Sequence, residues 1–168
     1  MEGYLKIFNE EEGTAQYKAE TPGLIQLEKI SDYLTILKIY FQDLHPTNWH
    51  EDFWMDDYAG VVLANYAIKI ESLSELDGHT IAFKDGFTSD MLFSMLCVWD
   101  GQPINNNKIR FKKIAEGCFR IFWTGYFGDA EKDEDYVELE MIAYQTNDLV
   151  TPLCSYPEEL IEYYSGHI

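Results

Sequence analysis

Residues 21–46, Thr-Pro-Gly-Leu-Ile-Gln-Leu-Glu-Lys-Ile-Ser-Asp-Tyr-Leu-Thr-Ile-Leu-Lys-Ile-Tyr-Phe-Gln-Asp-Leu-His-Pro, are the stretch whose reading decides the fold. They carry two incompatible signals. Leu27, Ile30, Leu34, Leu37, Phe41 and Leu44 recur at intervals of three and four, the spacing of one helix face. Thr21 is a suitable N-cap, Pro22 suits the first helical position, and Pro46 ends the run. Against this, residues 35–41 are dominated by β-branched and aromatic side chains and read equally as a strand. The stop signals at both ends favour the helix.

The flanking sequence extends that reading. On the N-terminal side, residues 1–9 and 14–20 alternate around Gly13 and predict a short hairpin. On the C-terminal side, Ala59, Val62, Leu63, Tyr66 and Ile70 again have helical spacing, with the alternation over 67–71 leaving a strand open at its end. Asp77-Gly78 is a turn signal, and residues 80–84 form a short strand ended by Asp85-Gly86. Ser89 caps a predicted helix presenting Met91, Leu92, Met95, Leu96 and Trp99, and residues 102–107 read as a polar loop. From Lys108 onward the period becomes two. Residues 108–115, 118–127 and 136–146 predict an antiparallel meander. Ser155, Pro157, Glu158 and Glu159 mark the start of a C-terminal helix that docks through Leu160, Ile161 and Tyr164. The expectation is a single globular domain over 1–168 of the α+β class, with N-terminal helices packed on an antiparallel β-meander and a short C-terminal helix. An all-β sandwich is the alternative.

Composition narrows the function. The chain holds 30 acidic against 12 basic side chains, a formal charge of −18 over 168 residues. It is not a disordered acidic tail, because 46% of it is hydrophobic and 15% aromatic. Such an imbalance opposes compaction by self-repulsion and repels phosphate, so nucleic acid and anionic membrane are disfavoured as partners and a basic protein is favoured. Cys97, Cys118 and Cys154 are widely spaced with no Cys-x-x-Cys, as expected of free thiols in a reducing compartment. The N-terminal residues have neither the positive start nor the apolar middle of a signal peptide, and a cytoplasmic location is expected.

No catalytic motif is present: no Gly-x-Ser-x-Gly, no phosphate-binding glycine loop, no His-Glu-x-x-His. His45, His50 and Glu51 bring together donors that suit a divalent metal, and a metal-dependent hydrolase built on them is one alternative, although their spacing matches no metal motif. His45-Pro46-Thr47 has the form of half a two-histidine phosphodiesterase motif, but His79-Thr80-Ile81 lacks the hydroxyl a second half needs. The acidic clusters are more informative. Trp49, Glu51, Asp52, Trp54, Asp56 and Asp57 set aromatic anchors among carboxylates, the composition of a hot spot facing a basic surface. Asp129, Glu131, Asp133, Glu134 and Asp135 form a second cluster able to accept Arg and Lys. The second cluster reads equally as a solvated hairpin tip, and in the first Phe53 and Trp54 read at least equally as core residues.

These features predict a non-enzymatic, cofactor-free inhibitor that occludes a basic partner. Small, acidic, cytoplasmic and motif-free is the profile of bacterial immunity proteins, the antitoxins that block toxins such as nucleases; the similarity is one of character, not of motif. A phage or plasmid DNA mimic and an adaptor domain are also compatible with this composition.

Overall fold

Residues 21–46 fold as a β-hairpin with no helical turn. The computed structural model describes residues 3–11, 13–47, 58–88, 90–98, 101–127 and 135–166. Its strands are β1 (Tyr4–Asn9), β2 (Gly13–Ala19), β3 (Gly23–Lys29), β4 (Thr35–Pro46), β5 (Ala59–Ala67), β6 (Thr80–Phe83), β7 (Phe87–Thr88), β8 (Met91–Leu92), β9 (Ser94–Cys97), β10 (Gln102–Ala115), β11 (Cys118–Phe127) and β12 (Asp135–Gln145). A 3-10 turn (Leu73–Leu76) precedes β6, and one helix, α1 (Pro157–Gly166), closes the described part of the chain. The expected α+β class with N-terminal helices is therefore overturned. The architecture is sheet-dominated, as in the all-β alternative, and the short C-terminal helix is present.

The helical spacing in 21–46 has a different origin. Leu37, Ile39 and Phe41 alternate inward along β4. A bulge between Phe41 and Leu44, with Asp43 at φ 52°, restores the inward direction after three residues in place of two. Ile30 and Leu34 lie at the hairpin turn, where they join an outer apolar cluster. Turn plus bulge thus mimic a period of 3.6. The long apolar run in β4 reflects burial on both faces: Leu37 and Ile39 enter the main core, while Ile36 packs outward beneath α1. Gly23 is required at the start of β3, because the Phe41 ring lies where any Cβ would be.

Eight strands pair antiparallel in a closed ring, β12–β1–β2–β4–β5–β9–β10–β11 and back to β12. The slot between β4 and β12 is filled twice. At one end the β1–β2 hairpin occupies it; at the other β3 inserts, antiparallel to β4 and parallel to β12. β10 is shared likewise, with β9 beside Gln102 and Pro103 and β6 beside residues 107–110. The inward side chains of the ring form one apolar core, including Leu5, Tyr17, Phe41, Phe111, Phe119 and Trp123. Lys108, Arg110, Lys112 and Arg120 stand exposed on the outer wall. This is the reverse of a membrane-spanning barrel, whose outward face is the apolar one.

The expected polar loop at 102–107 is also corrected. Its asparagines form a bulge inside β10, where residues 106 and 107 oppose Gly125 and Asn106 takes φ 51°. Asn107 is turned into the core. It donates to the Ile104 carbonyl at 2.5 Å and accepts the Trp123 indole N–H at 2.8 Å. The predicted helices at 59–70 and after Ser89 are strands β5, β8 and β9, with Asn65 at φ 53° kinking β5 where alternation breaks. Ile161, expected to dock with α1, is 43% exposed. Trp123→Phe removes the indole donor from Asn107 and leaves a buried amide oxygen unmatched. It should lower unfolding free energy by about 1–3 kcal/mol in denaturant titration, and an unchanged midpoint would show that the bond contributes nothing.

Candidate functional site

Antiparallel pairing fixes which connections share an end of the barrel. Phe8 is paired with Tyr136, and Ile104 with Phe127. Tyr17 is paired with Pro46, and the Thr47 N–H continues this ladder to the Gln16 carbonyl at 2.8 Å. Gln102 is paired with Leu96. The ends of β1 and β2, β4 and β5, β9 and β10, and β11 and β12 therefore meet at one rim. In sequence, the connections that these ends bracket carry Glu10, Glu11 and Glu12; Glu51, Asp52, Asp56 and Asp57; Asp100; and Asp129, Glu131, Asp133 and Glu134, against the single lysine Lys132.

Of the residues expected to contact a partner, Trp49, Glu51, Asp52, Trp54, Asp56 and Asp57, and likewise Asp129, Glu131, Asp133 and Glu134, lie outside the described residues. Asp135 is described. It opens β12, and its Oδ1 accepts a hydrogen bond from Asn9 Nδ2 at 2.6 Å, clasping the β1–β2 turn to β12. Below the clasp, Phe8, Tyr136 and Tyr126 make an aromatic platform on the outer wall, with ring centroids 5.7 Å and 5.4 Å apart in succession. Sequence alternation alone hides this platform, because the three rings come from three strands.

His45 lies in β4 with Nε2 3.7 Å from Glu20 Oε2 and its ring edge-on to Tyr58 at 5.0 Å. His50 and Glu51, its expected metal-binding companions, lie outside the described residues. Among the described residues no three His, Cys, Asp or Glu side chains are grouped to hold a metal. Within the described residues, no helix is long and apolar enough to cross a membrane.

A second feature opens beside the same rim. A groove of about 520 Å³ lies between the β7–β8 flap, the start of β10 and residues 153–156. Leu92, Met95 and Pro103 line it, Phe87, Leu153 and Tyr156 form its exposed lips, and Asp90 and Glu159 are its charged residues. Asn65, buried in β5, ties its walls together. Asn65 Nδ2 donates to the Leu92 carbonyl at 2.9 Å, while Oδ1 accepts the Ser155 N–H at 3.1 Å and the Cys154 thiol at 3.6 Å. Its own carbonyl accepts the Tyr164 hydroxyl at 2.5 Å, and that hydroxyl in turn accepts the Ala67 N–H at 3.0 Å. Asn is the residue besides glycine that best tolerates the left-handed backbone. An amide inside the apolar run 61–67 is the sequence signal that marks this position.

Beneath residues 149–155, Lys38 is almost fully buried on the outer face of β4 and pairs with Glu28. Burial lowers its pKa, but the hydrogen bond to Glu28 and the neighbouring Cys154 outweigh this and leave it raised. Burial likewise pushes the Cys97 thiol up, as expected of an inert structural cysteine.

Comparison with protein-family models, with curated proteins and with solved structures finds no match for this chain.

The Tyr164 phenol is pushed up to about 12, first by burial, with the Ala67 N–H acting in the opposite direction. The folded state thus favours the protonated phenol. Its stabilising contribution is whole below the ordinary tyrosine value near 10 and is lost as pH climbs through about 12. Docking of α1, followed by near-ultraviolet circular dichroism, should hold to pH 10 and fail between 10 and 12. Tyr164→Phe should flatten that alkaline loss while lowering stability at neutral pH by about 1–2 kcal/mol, since the Ala67 N–H loses its acceptor.

Proposed function

We propose that this chain is a stoichiometric, non-catalytic inhibitor that docks its acidic barrel rim onto a basic protein, of the kind immunity proteins present to toxin domains such as nucleases. The observation that supports it is the convergence of strand ends: four acid-bearing connections, far apart in sequence, are anchored at one end of the barrel. Among the described residues, Lys108, Arg110, Lys112 and Arg120 stand exposed on the wall of β10 and β11, and Lys18, Lys29, Lys69 and Lys84 are exposed elsewhere. Acid-rich connections anchored at one end of the barrel would steer a cationic partner and accelerate encounter. The aromatic platform beneath the rim supplies the apolar contact area that fixes a complex once formed. A charged outer wall fits a protein working in water, and a cytoplasmic setting agrees with three unpaired cysteines.

The test is capture on the immobilised chain from lysate of its source cell, followed by kinetics on the isolated partner. A basic partner should bind with an association rate that falls at least tenfold between about 50 mM and 500 mM salt, and its activity should titrate to zero at one equivalent. Neutralising Glu10, Glu11, Glu12, Asp129, Glu131, Asp133 and Glu134 to their amides should slow association about 100-fold while leaving thermal unfolding intact. Salt-independent binding, or an acidic partner, would overturn the proposal.

A further inference from the structure

We infer that the groove between the β7–β8 flap and residues 153–156 is a specificity pocket for one apolar side chain of the partner, carried on a segment rich in lysine or arginine. The inference rests on the proposed basic-protein docking and adds to it a place and a chemistry. Three observations carry it.

The first is exposure without compensation. Leu153 is 67% exposed, Tyr156 74% and Phe87 52%, around a floor of buried Leu92 and Met95. An apolar hollow of about 520 Å³ with apolar lips has the size and lining of a binding cleft.

The second is strain. Leu153 sits at φ 59° and Asp90 at φ 67°, on opposite sides of the groove. A left-handed leucine is disfavoured by its Cβ, and here little burial of the side chain offsets the cost. Glycine or asparagine would satisfy the backbone better, so the leucine side chain is what the position supplies. Strain held in an exposed apolar residue at the lip of a cleft is expected of a binding element.

The third is charge. Among the described residues that line the groove, the charged ones are Asp90 and Glu159, both acidic, and none is a lysine or arginine. Gly101 and Pro103, at the start of β10, join the groove to the acidic rim. An apolar floor and apolar lips accompanied by two acidic residues, close to the acid-bearing rim, are complementary to an apolar anchor flanked by cations.

The experiment uses the full chain and two synthetic peptides of equal charge, acetyl-Lys-Arg-Leu-Phe-Arg-Lys-amide and acetyl-Lys-Arg-Ser-Gly-Arg-Lys-amide, titrated calorimetrically at about 20 mM salt, where charge attraction is weakly screened. The peptide with the apolar centre should bind about tenfold more tightly, the effect of burying one large apolar side chain. In the double variant Phe87→Ala with Leu153→Gly, that advantage should fall to less than about twofold, while affinity for the Ser-Gly peptide stays unchanged. Leu153→Gly by itself should not lower the melting temperature, since glycine takes the left-handed backbone freely. Equal binding of the two peptides, or an advantage that survives in the double variant, would overturn the pocket and leave the rim standing. Failure of both peptides to bind would overturn rim and pocket together.

Discussion

Closure of the sheet is the constraint on which the rest of this molecule depends. A ring of antiparallel strands leaves no long edge with unmatched N–H and C=O groups, and the energetic penalty for such groups is what forces the wall to be complete. The chain meets it with pieces of unequal length. β4, β10 and β12 are long enough to serve two neighbours each, and the β1–β2 hairpin, β3, β6 and β9 fill the positions beside them. The bulges in β4, β5 and β10 follow from the same requirement, since long strands in a small ring must bend sharply and a bulge is the means of bending.

Over part of this wall lies a second layer. Residues 149–155 and α1 cover the outer faces of β4 and β5, and Leu34, Ile36, Phe93 and Leu160 form the apolar contact between layers. Asn65 is the polar counterpart, with each of its amide groups and its carbonyl engaged by a different segment. The groove lies where this outer layer meets the β7–β8 flap, with Ser155 Oγ 3.4 Å from Met91 Sδ and Leu160 in the same apolar cluster as Met91. The barrel thus supplies a rigid rim, and the overlay supplies an apolar recess beside it, so that charge and shape are contributed by separate layers of the fold.

The legible parts of the fold were those buried on one face only. β1, β2, β6, β12 and residues 108–115 of β10 alternate in sequence as they do in space, β11 is legible as a nearly continuous apolar run between them, and α1 announces itself through Pro157 and its first-turn acids. The illegible parts were those buried on both faces. In β4, Ile36 and Leu37 are both fully buried, so alternation vanishes, and a turn and a bulge then place apolar residues at helical intervals. In β5 and β9 the same double burial removed the period that distinguishes strand from helix. The asparagine run at 105–107 has turn-forming composition and was illegible for a different reason: whether such residues form a loop or a bulge depends on the neighbouring strand, here on Gly125.

The acidity of the chain, its aromatic content and the separate identity of its acidic clusters were determined by the sequence alone, because charge and composition do not depend on how a chain is folded. Only the tertiary structure decided that those clusters are bracketed by strand ends at a common rim, that three aromatic rings from three strands form one platform, and that Leu153 stands strained and exposed above an apolar hollow. Each of these is a relation between residues far apart along the chain. Such relations are set by strand register and sheet closure, which are long-range pairings that local patterns of sequence do not encode.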